Sequence, residues 1–500
     1  KSLTSFPEWR GEIDRDVLTL QLRHGYIPAP YSIYKGIFKL LPGSILKLPL
    51  EDLQYRKELN PGGQSIDKNS LSPQRYWSAR SVAETAVNNK VHYTKEEAVN
   101  TLQDLLSGTI KNQMISDVPL GAFLSGGIDS SIVVALMQSQ SINPVRTFTI
   151  GFHEARFNEA KHAKNVANHI GTDHTEMYVT SKEAMDVIPN LPDYYDEPFS
   201  DPSQIPTYLV SKLAKEQVTV CLSGDGGDEL FAGYERYFWA MSVRNIIESL
   251  PIVARNTFAG ILQRVPIPIW DMLLTTFYPV LPKRFHFHQP GEKLNKLGDL
   301  LRAKDFELMY RRLISQIGDP EKYVLGSTEP KTVLSMKKEW PQLSDYLETM
   351  QYLDTVSYLP DDILVKLDRA SMSISLESRV PLLDHKIVEF AWSLPRELKV
   401  QDKSGKSILK DLLYKYVPRE LVDRPKMGFG VPIGEWLRGG MQEWAEDLLD
   451  PNMLKKLVIL NSESVGKMWV EHKSGKRNWE YQLWNILIFQ SWHQKQISRI

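Results

Sequence analysis

Residues 118–131 read Val-Pro-Leu-Gly-Ala-Phe-Leu-Ser-Gly-Gly-Ile-Asp-Ser-Ser. This run constrains the fold more than any other in the chain. The apolar stretch 118–124 has the length of a buried strand, and it breaks at Ser125-Gly126-Gly127 before an apolar helical segment begins at Ser130. Strand, glycine-rich turn and helix present unpaired backbone N–H groups at a positive dipole end, which is an anion site. Gly126 and Gly127 let the backbone approach an oxygen-rich ligand without Cβ obstruction. Asp129 is out of place beside a bound phosphate, unless a divalent cation of the magnesium kind bridges carboxylate and phosphate oxygens. The plain alternative is a tight turn whose Asp129 and Ser130 only cap the helix. Serines at 125, 130 and 131 make the pattern richer than capping requires. No Gly-Lys-Ser/Thr follows, which excludes the kinase-type phosphate loop.

A second turn of the same kind spans 218–229, Val-Thr-Val-Cys-Leu-Ser-Gly-Asp-Gly-Gly-Asp-Glu. Asp225, Asp228 and Glu229 place three acids within five residues, where they repel one another unless a cation or an acid/base task engages them. Helix capping by Asp225 and Asp228 is again the plain alternative. Around the two turns, expected strands at 118–124, 146–152 and 218–222 alternate with expected helices at 132–138 and 159–170. That order predicts an α/β fold, a parallel sheet with helices on both faces, with both turns at its carboxyl edge. An amphipathic helix is expected over 95–114. Beyond Gly233 strand signals are sparse, so the C-terminal half reads as mainly helical. Residues 1–77 carry short β-like runs (33–40 and 44–48), and 54–74 read as a polar loop or linker.

Five hundred residues exceed one ordinary core, so two or three domains are expected. The 60 basic and 61 acidic residues cancel, which leaves no charge pattern for a nucleic-acid or membrane partner. The apolar region 251–282 contains Arg255, Arg264 and Asp271 and predicts short packed helices, not a membrane span. The single cysteine, Cys221, rules out an intrachain disulfide framework; with no signal-peptide pattern, a cytoplasmic location is expected.

Ser-Gly-Gly-Ile-Asp-Ser at 125–130 resembles the pyrophosphate loop of ATP pyrophosphatases. Ser-Gly-Asp-Gly-Gly-Asp-Glu-Leu-Phe-Ala-Gly-Tyr at 223–234 resembles the second motif of the asparagine synthetase family, and the stretches 361–372, 376–384 and Arg424-Pro425-Lys426 continue the likeness. The resemblance implies an adenine nucleotide α-hydrolase-like fold. It also implies ATP and Mg2+ as cofactors, and adenylation of a carboxylate, L-aspartate in the best-known members, followed by attack of ammonia normally drawn from glutamine. Asparagine, AMP and pyrophosphate would be the products. By position, Ser125, Gly126, Gly127, Asp129 and Ser130 correspond to the pyrophosphate loop, while Phe123, Ile150, Ser223 and Gly224 fall where the family frames the adenosine. Asp225 stands where some members carry a glutamate proposed as general base. Asp228 matches an acid tied to substrate or metal, so Asp129 and Asp228 are the metal candidates. Lys426 matches the lysine that neutralises the triphosphate, and Glu159 aligns with a further acid. Glu377 and Arg379 are expected to serve the site or hold its wall.

Members that hydrolyse glutamine open with a cysteine, whereas this sequence begins with Lys1. Residues 22–48 resemble the final strands of the glutaminase domain. The expected division is therefore 1–77 as the remnant of a class II glutamine amidotransferase domain with its linker, and 90–500 as the synthetase part of a truncated whole. Such a chain could use free ammonia but not glutamine. Two other readings stay open: amidation or ring closure on a sugar, antibiotic or peptide carboxylate, and a non-catalytic nucleotide-binding module. Asp129, Asp228 and Lys426 together speak against the module. A homodimer is compatible with the sequence, and the cation that pairs with the substrate carboxylate is not assignable from it.

Overall fold

Two short strands, β1 (Ser44–Ile45) and β2 (Gln74–Arg75), pair antiparallel. Five more form one sheet: β3 (Leu120–Phe123), β4 (Arg146–Phe152), β5 (Asp173–Val179), β6 (Val220–Leu222) and β7 (Glu377–Arg379). Their order is β5-β4-β3-β6-β7 and every pairing is parallel. The computed structural model describes residues 2–9, 11–49, 72–153, 158–278, 290–343, 345–424 and 430–497. It divides into two units, one of residues 1–12, 27–234 and 340–431, the other of 13–26, 235–339 and 432–500.

The first unit holds the parallel sheet with helices around it, as the alternation of apolar runs predicts. The chain steps from β3 outward to β4 and β5, then returns to lay β6 on the other side of β3. That reversal makes the carboxyl ends of β3 and β6 the switch point, where ligands of such sheets bind. Strand β3 is shorter than the expected 118–124. Pro119 has no N–H for the ladder, and only its carbonyl joins, accepting from Thr219 N at 2.9 Å. Strand β4 lies over the expected residues. β5 and β7 were not foreseen as strands: β5 is a half-exposed edge, and β7 is only Glu-Ser-Arg, so neither carries an apolar signal.

Four helices of this unit matter for the site. They are α2 (Ala79–Asn88), α3 (Lys95–Gln113), α4 (Ile128–Ser139) and α5 (Ala160–Ile170), counted after α1 (Arg15–His24) of the second unit. Thr94 and Glu97 close a capping box at the start of α3. Both α3 and α5 pack on α4, whose residues 131–137 are buried throughout, and the helix Gln204–Lys215 packs on β4.

The second unit contains no strand among the described residues. Residues 15–24, within the region expected to be β-like, form α1, because Asp14 caps its first turn and Gly25 (φ 86°) ends it. Asn485 Nδ2 donates to Leu22 O at 3.0 Å and ties α1 to the long helix Glu480–Ile497. In the first unit, the expected run 33–40 likewise forms no strand, only the isolated bridge Tyr31–Phe38. The described part of the apolar region 251–282, which ends at residue 278, folds as expected into short helices, Ile252–Arg264 and Ile267–Phe277. Buried Arg255 donates to Leu301 O (3.1 Å) and Ala303 O (2.7 Å), so this charge satisfies carbonyls at a helix end. No described helix is long and apolar enough to cross a membrane.

Candidate active site

The two glycine-rich turns emerge side by side because β3 and β6 are hydrogen-bonded neighbours, with Ala122 opposite Leu222. In the first turn, Gly126 adopts φ 72°, and a Cβ there would stand 2.8 Å from the backbone of His162 and Ala163 at the start of α5. Ser125 N donates to Ser130 Oγ at 3.2 Å, the two hydroxyls are 3.0 Å apart, and Gly127 N donates to Ser125 Oγ at 3.3 Å. The loop is thus folded on its own hydroxyls. Gly127 begins α4 without a side-chain cap, which leaves that helix end available to an anion.

In the second turn, Ser223 N donates to Arg379 O of β7 at 2.8 Å, and Ser223 Oγ donates to Asp225 Oδ2 at 2.5 Å. Gly226, at φ 95°, leads into the single helical turn Gly227–Leu230 that carries Asp228 and Glu229. Phe123, Ile150, Ser223 and Gly224 all lie at or toward the carboxyl ends of the adjacent strands β3, β4 and β6.

Asp129 and Asp228 meet on one ammonium group. Lys406 Nζ pairs with Asp129 Oδ2 and lies 2.8 Å from Asp228 Oδ1, with all three side chains at most 16% exposed. Burial alone would lower the Lys406 pKa, but the charges of Asp129 and Asp228 outweigh it and hold it above the ordinary lysine value. A second lysine, Lys366 on the helix Leu364–Met372, donates to Asp201 Oδ2 (3.0 Å) and Ser203 Oγ (2.9 Å). Burial opposes its charge too, and Asp201, Asp362 and Asp225 together raise it. Lys366 therefore lies within the field of Asp225. Neither lysine was singled out from the sequence. A Gly-Lys before an apolar helix was the only available trace of Lys406, and Lys366 sat unmarked in an amphipathic pattern.

Glu229 is a further residue brought to the site. It is 1% exposed, its Oε1 accepts from the Tyr234 hydroxyl at 2.5 Å, and burial with the charge of Asp228 pushes its pKa up to about 7. Gln351 Nε2 fixes the turn by donating to Glu229 O (2.7 Å) and Leu230 O (2.9 Å). Glu159 lies beside the first loop: Arg424 Nη2 donates to Glu159 Oε1 (3.3 Å) and to Ser125 O (3.2 Å). Arg379 donates to Gln113 O (2.5 Å) and Ile115 O (2.9 Å), and so ties β7 to the end of α3. Glu377 is its exposed partner. Lys426 lies outside the described residues.

The family model for asparagine synthase matches residues 101–494, a span that contains both loops, Lys366 and Lys406. This chain belongs to the asparagine synthase family. A glutamine-hydrolyzing asparagine synthetase of Bacillus subtilis is 29% identical over 98% of this chain and 70% of its own length. A second glutamine-hydrolyzing asparagine synthetase of that organism is 24% identical over 94% of this chain and 68% of its own length. The amidase chyE of Penicillium rubens is 23% identical over 86% of this chain and 64% of its own length. Membership of the asparagine synthase family makes this chain a ligase of that family.

Proposed function

We propose that the site adenylates a carboxylic acid with ATP, L-aspartate in the first instance, and passes the acyl group to ammonia, giving an amide, AMP and pyrophosphate. The observation that carries this reading is the convergence of two glycine-rich loops at the switch point, each contributing one carboxylate, Asp129 or Asp228, to a shared cation. The uncapped start of α4 and the Ser125 and Ser130 hydroxyls receive the departing pyrophosphate, and Phe123, Ile150, Ser223 and Gly224 frame the adenosine. Asp129 and Asp228 fit a magnesium ion. Their two oxygen donors already bind a cation, and Mg2+ is commonly held by one or two carboxylates with substrate phosphates filling the remaining positions. When bound, that ion would neutralise phosphate charge.

In this reading the carboxylate oxygen attacks the α phosphorus, and the bond to the pyrophosphate oxygen breaks while Lys426 offsets the released charge. Ammonia then attacks the acyl carbon, AMP leaves, and a carboxylate takes the surplus proton. Asp225 stands where some family members carry a glutamate proposed as general base, and its side chain is one methylene shorter. Burial and the charge of Asp228 push Glu229 up to about 7, which makes it a second carboxyl able to exchange a proton near neutral pH. No bond to the protein forms, and positioning and charge neutralisation do the work. The reading places the chain in the cytoplasm, acting on small molecules. The amino-terminal stretch 1–77 belongs, in the same reading, to a glutaminase that feeds ammonia.

The test is ATP–pyrophosphate exchange with magnesium and ammonium, with L-aspartate run beside other carboxylates. Exchange with aspartate and an asparagine product, lost in Asp129→Ala, is the expected result. Exchange with another acid alone moves the substrate to that acid, and ATP binding without exchange for any acid sinks the enzymatic reading.

A further inference from the structure

Lys406 is held where few lysines are placed. Its backbone adopts φ 61°, the left-handed region that non-glycine residues rarely occupy, immediately before the helix Ser407–Leu413. Lys406 N donates to Phe231 O at 2.7 Å. Ala232, also left-handed at φ 56°, packs its carbonyl so closely on Gly405 that a Cβ there would collide with it, and a Cβ on Gly233 would collide with the Lys406 side chain. Two interlocked turns thus force one ammonium between Asp129 and Asp228. Backbone strain of this kind persists only where the surroundings over-determine it.

We propose that Lys406 is the internal counter-cation of the Asp129–Asp228 pair and must release both carboxylates before a divalent cation can use them. The proposal rests on the reading of these two acids as the metal ligands. Its consequence is order of binding. A bare metal ion competes with a tethered ammonium at high effective concentration, so its apparent affinity falls by the fraction of sites Lys406 leaves open. A nucleotide changes the balance, because its phosphates offer the displaced ammonium new acceptors. Metal and nucleotide then favour each other reciprocally, and the empty protein keeps both carboxylates paired with one ammonium without any metal.

The probe is Mn2+ alone, titrated without nucleotide and read as free Mn2+ by electron paramagnetic resonance. Lys406→Gln is expected to bind one Mn2+ about tenfold or more tighter than the unaltered protein, and adding Asp129→Asn to it should abolish that gain. A non-hydrolysable ATP analogue should strengthen Mn2+ binding in the unaltered protein more than in Lys406→Gln. Equal or weaker Mn2+ binding by a folded Lys406→Gln overturns the proposal, as does a gain that survives Asp129→Asn. Should Lys406→Gln unfold without metal, its thermal melt in Mg2+ and in chelator decides: rescue by Mg2+ supports the exchange, and unfolding in both refutes it. The enzymatic reading fails separately. A Mn2+ gain with no ATP–pyrophosphate exchange strikes that reading alone, whereas exchange with no gain strikes this one.

Discussion

A Cβ placed on Gly224 would stand 2.6 Å from the backbone nitrogen of Ser130. The second glycine-rich loop therefore lies directly on the start of α4, with backbone against backbone, and there is no flexible side chain to yield. Gly224→Ala is expected to lower stability by about 1–3 kcal/mol and to reduce ATP–pyrophosphate exchange by prising the loops apart. Chemical denaturation alongside the exchange assay checks both, and an alanine variant with unaltered stability contradicts the close approach.

Glu229 makes the protein pH-sensitive in a definite direction. Its folded pKa of about 7 lies above the ordinary glutamate value, so the folded state binds the proton more tightly than the unfolded chain does. Its favourable contribution is full below the unfolded pKa of about 4.3 and is lost as pH rises through 7. Glu229→Gln, which never ionises, should gain stability relative to the unaltered protein between pH 5 and 8, by roughly 1.4 kcal/mol per unit at most. Urea denaturation of both proteins across that range gives the difference directly. A flat difference means that Glu229 ionises normally.

Lys366 and Asp201 form a pair only 13% and 16% exposed. Removing one partner leaves a charge in a poorly solvated place, so Lys366→Met should cost about 3–5 kcal/mol. Lys366→Met with Asp201→Asn should recover part of that loss, leaving a coupling energy of at least about 1 kcal/mol. A double-mutant cycle measured by denaturation reads it, and additive losses would show that the pair does not act as a unit.

Arg379 and Glu377 separate a structural charge from a surface one. The Arg379 guanidinium satisfies two carbonyls at the end of α3, so Arg379→Ala should lose about 1–3 kcal/mol. Lysine at this position keeps the charge but not the fork of donors, and should restore only part of it. Glu377→Gln, on a side chain 54% exposed, should stay within about 0.5 kcal/mol. Equal losses at both positions would argue against the assigned roles.

The parts legible in the sequence were those whose signal is local. β4 and α5 could be read because apolar residues recur within a few positions. The two loops could be read because glycines, serines and acids crowd into six or twelve residues. β5 and β7 escaped because edge strands owe their state to a neighbour's hydrogen bonds, and their half-exposed side chains carry no apolar alternation. α1 escaped because its cap at Asp14 and stop at Gly25 frame a helix whose buried residues include Thr19, Gln21, Arg23 and His24; their polarity blurred the apolar pattern.

Two apolar strands that each run into a glycine-rich turn carrying acids could be read from the residues alone, since turn geometry and helix ends depend on neighbouring residues. The folded chain alone brings Asp129 and Asp228, ninety-nine positions apart, onto the ammonium of Lys406. It likewise sets Lys366 within reach of Asp225's charge. A lysine's partner is chosen by burial and by which carboxylates the fold brings within a few ångströms, and neither quantity is written in the residues beside it.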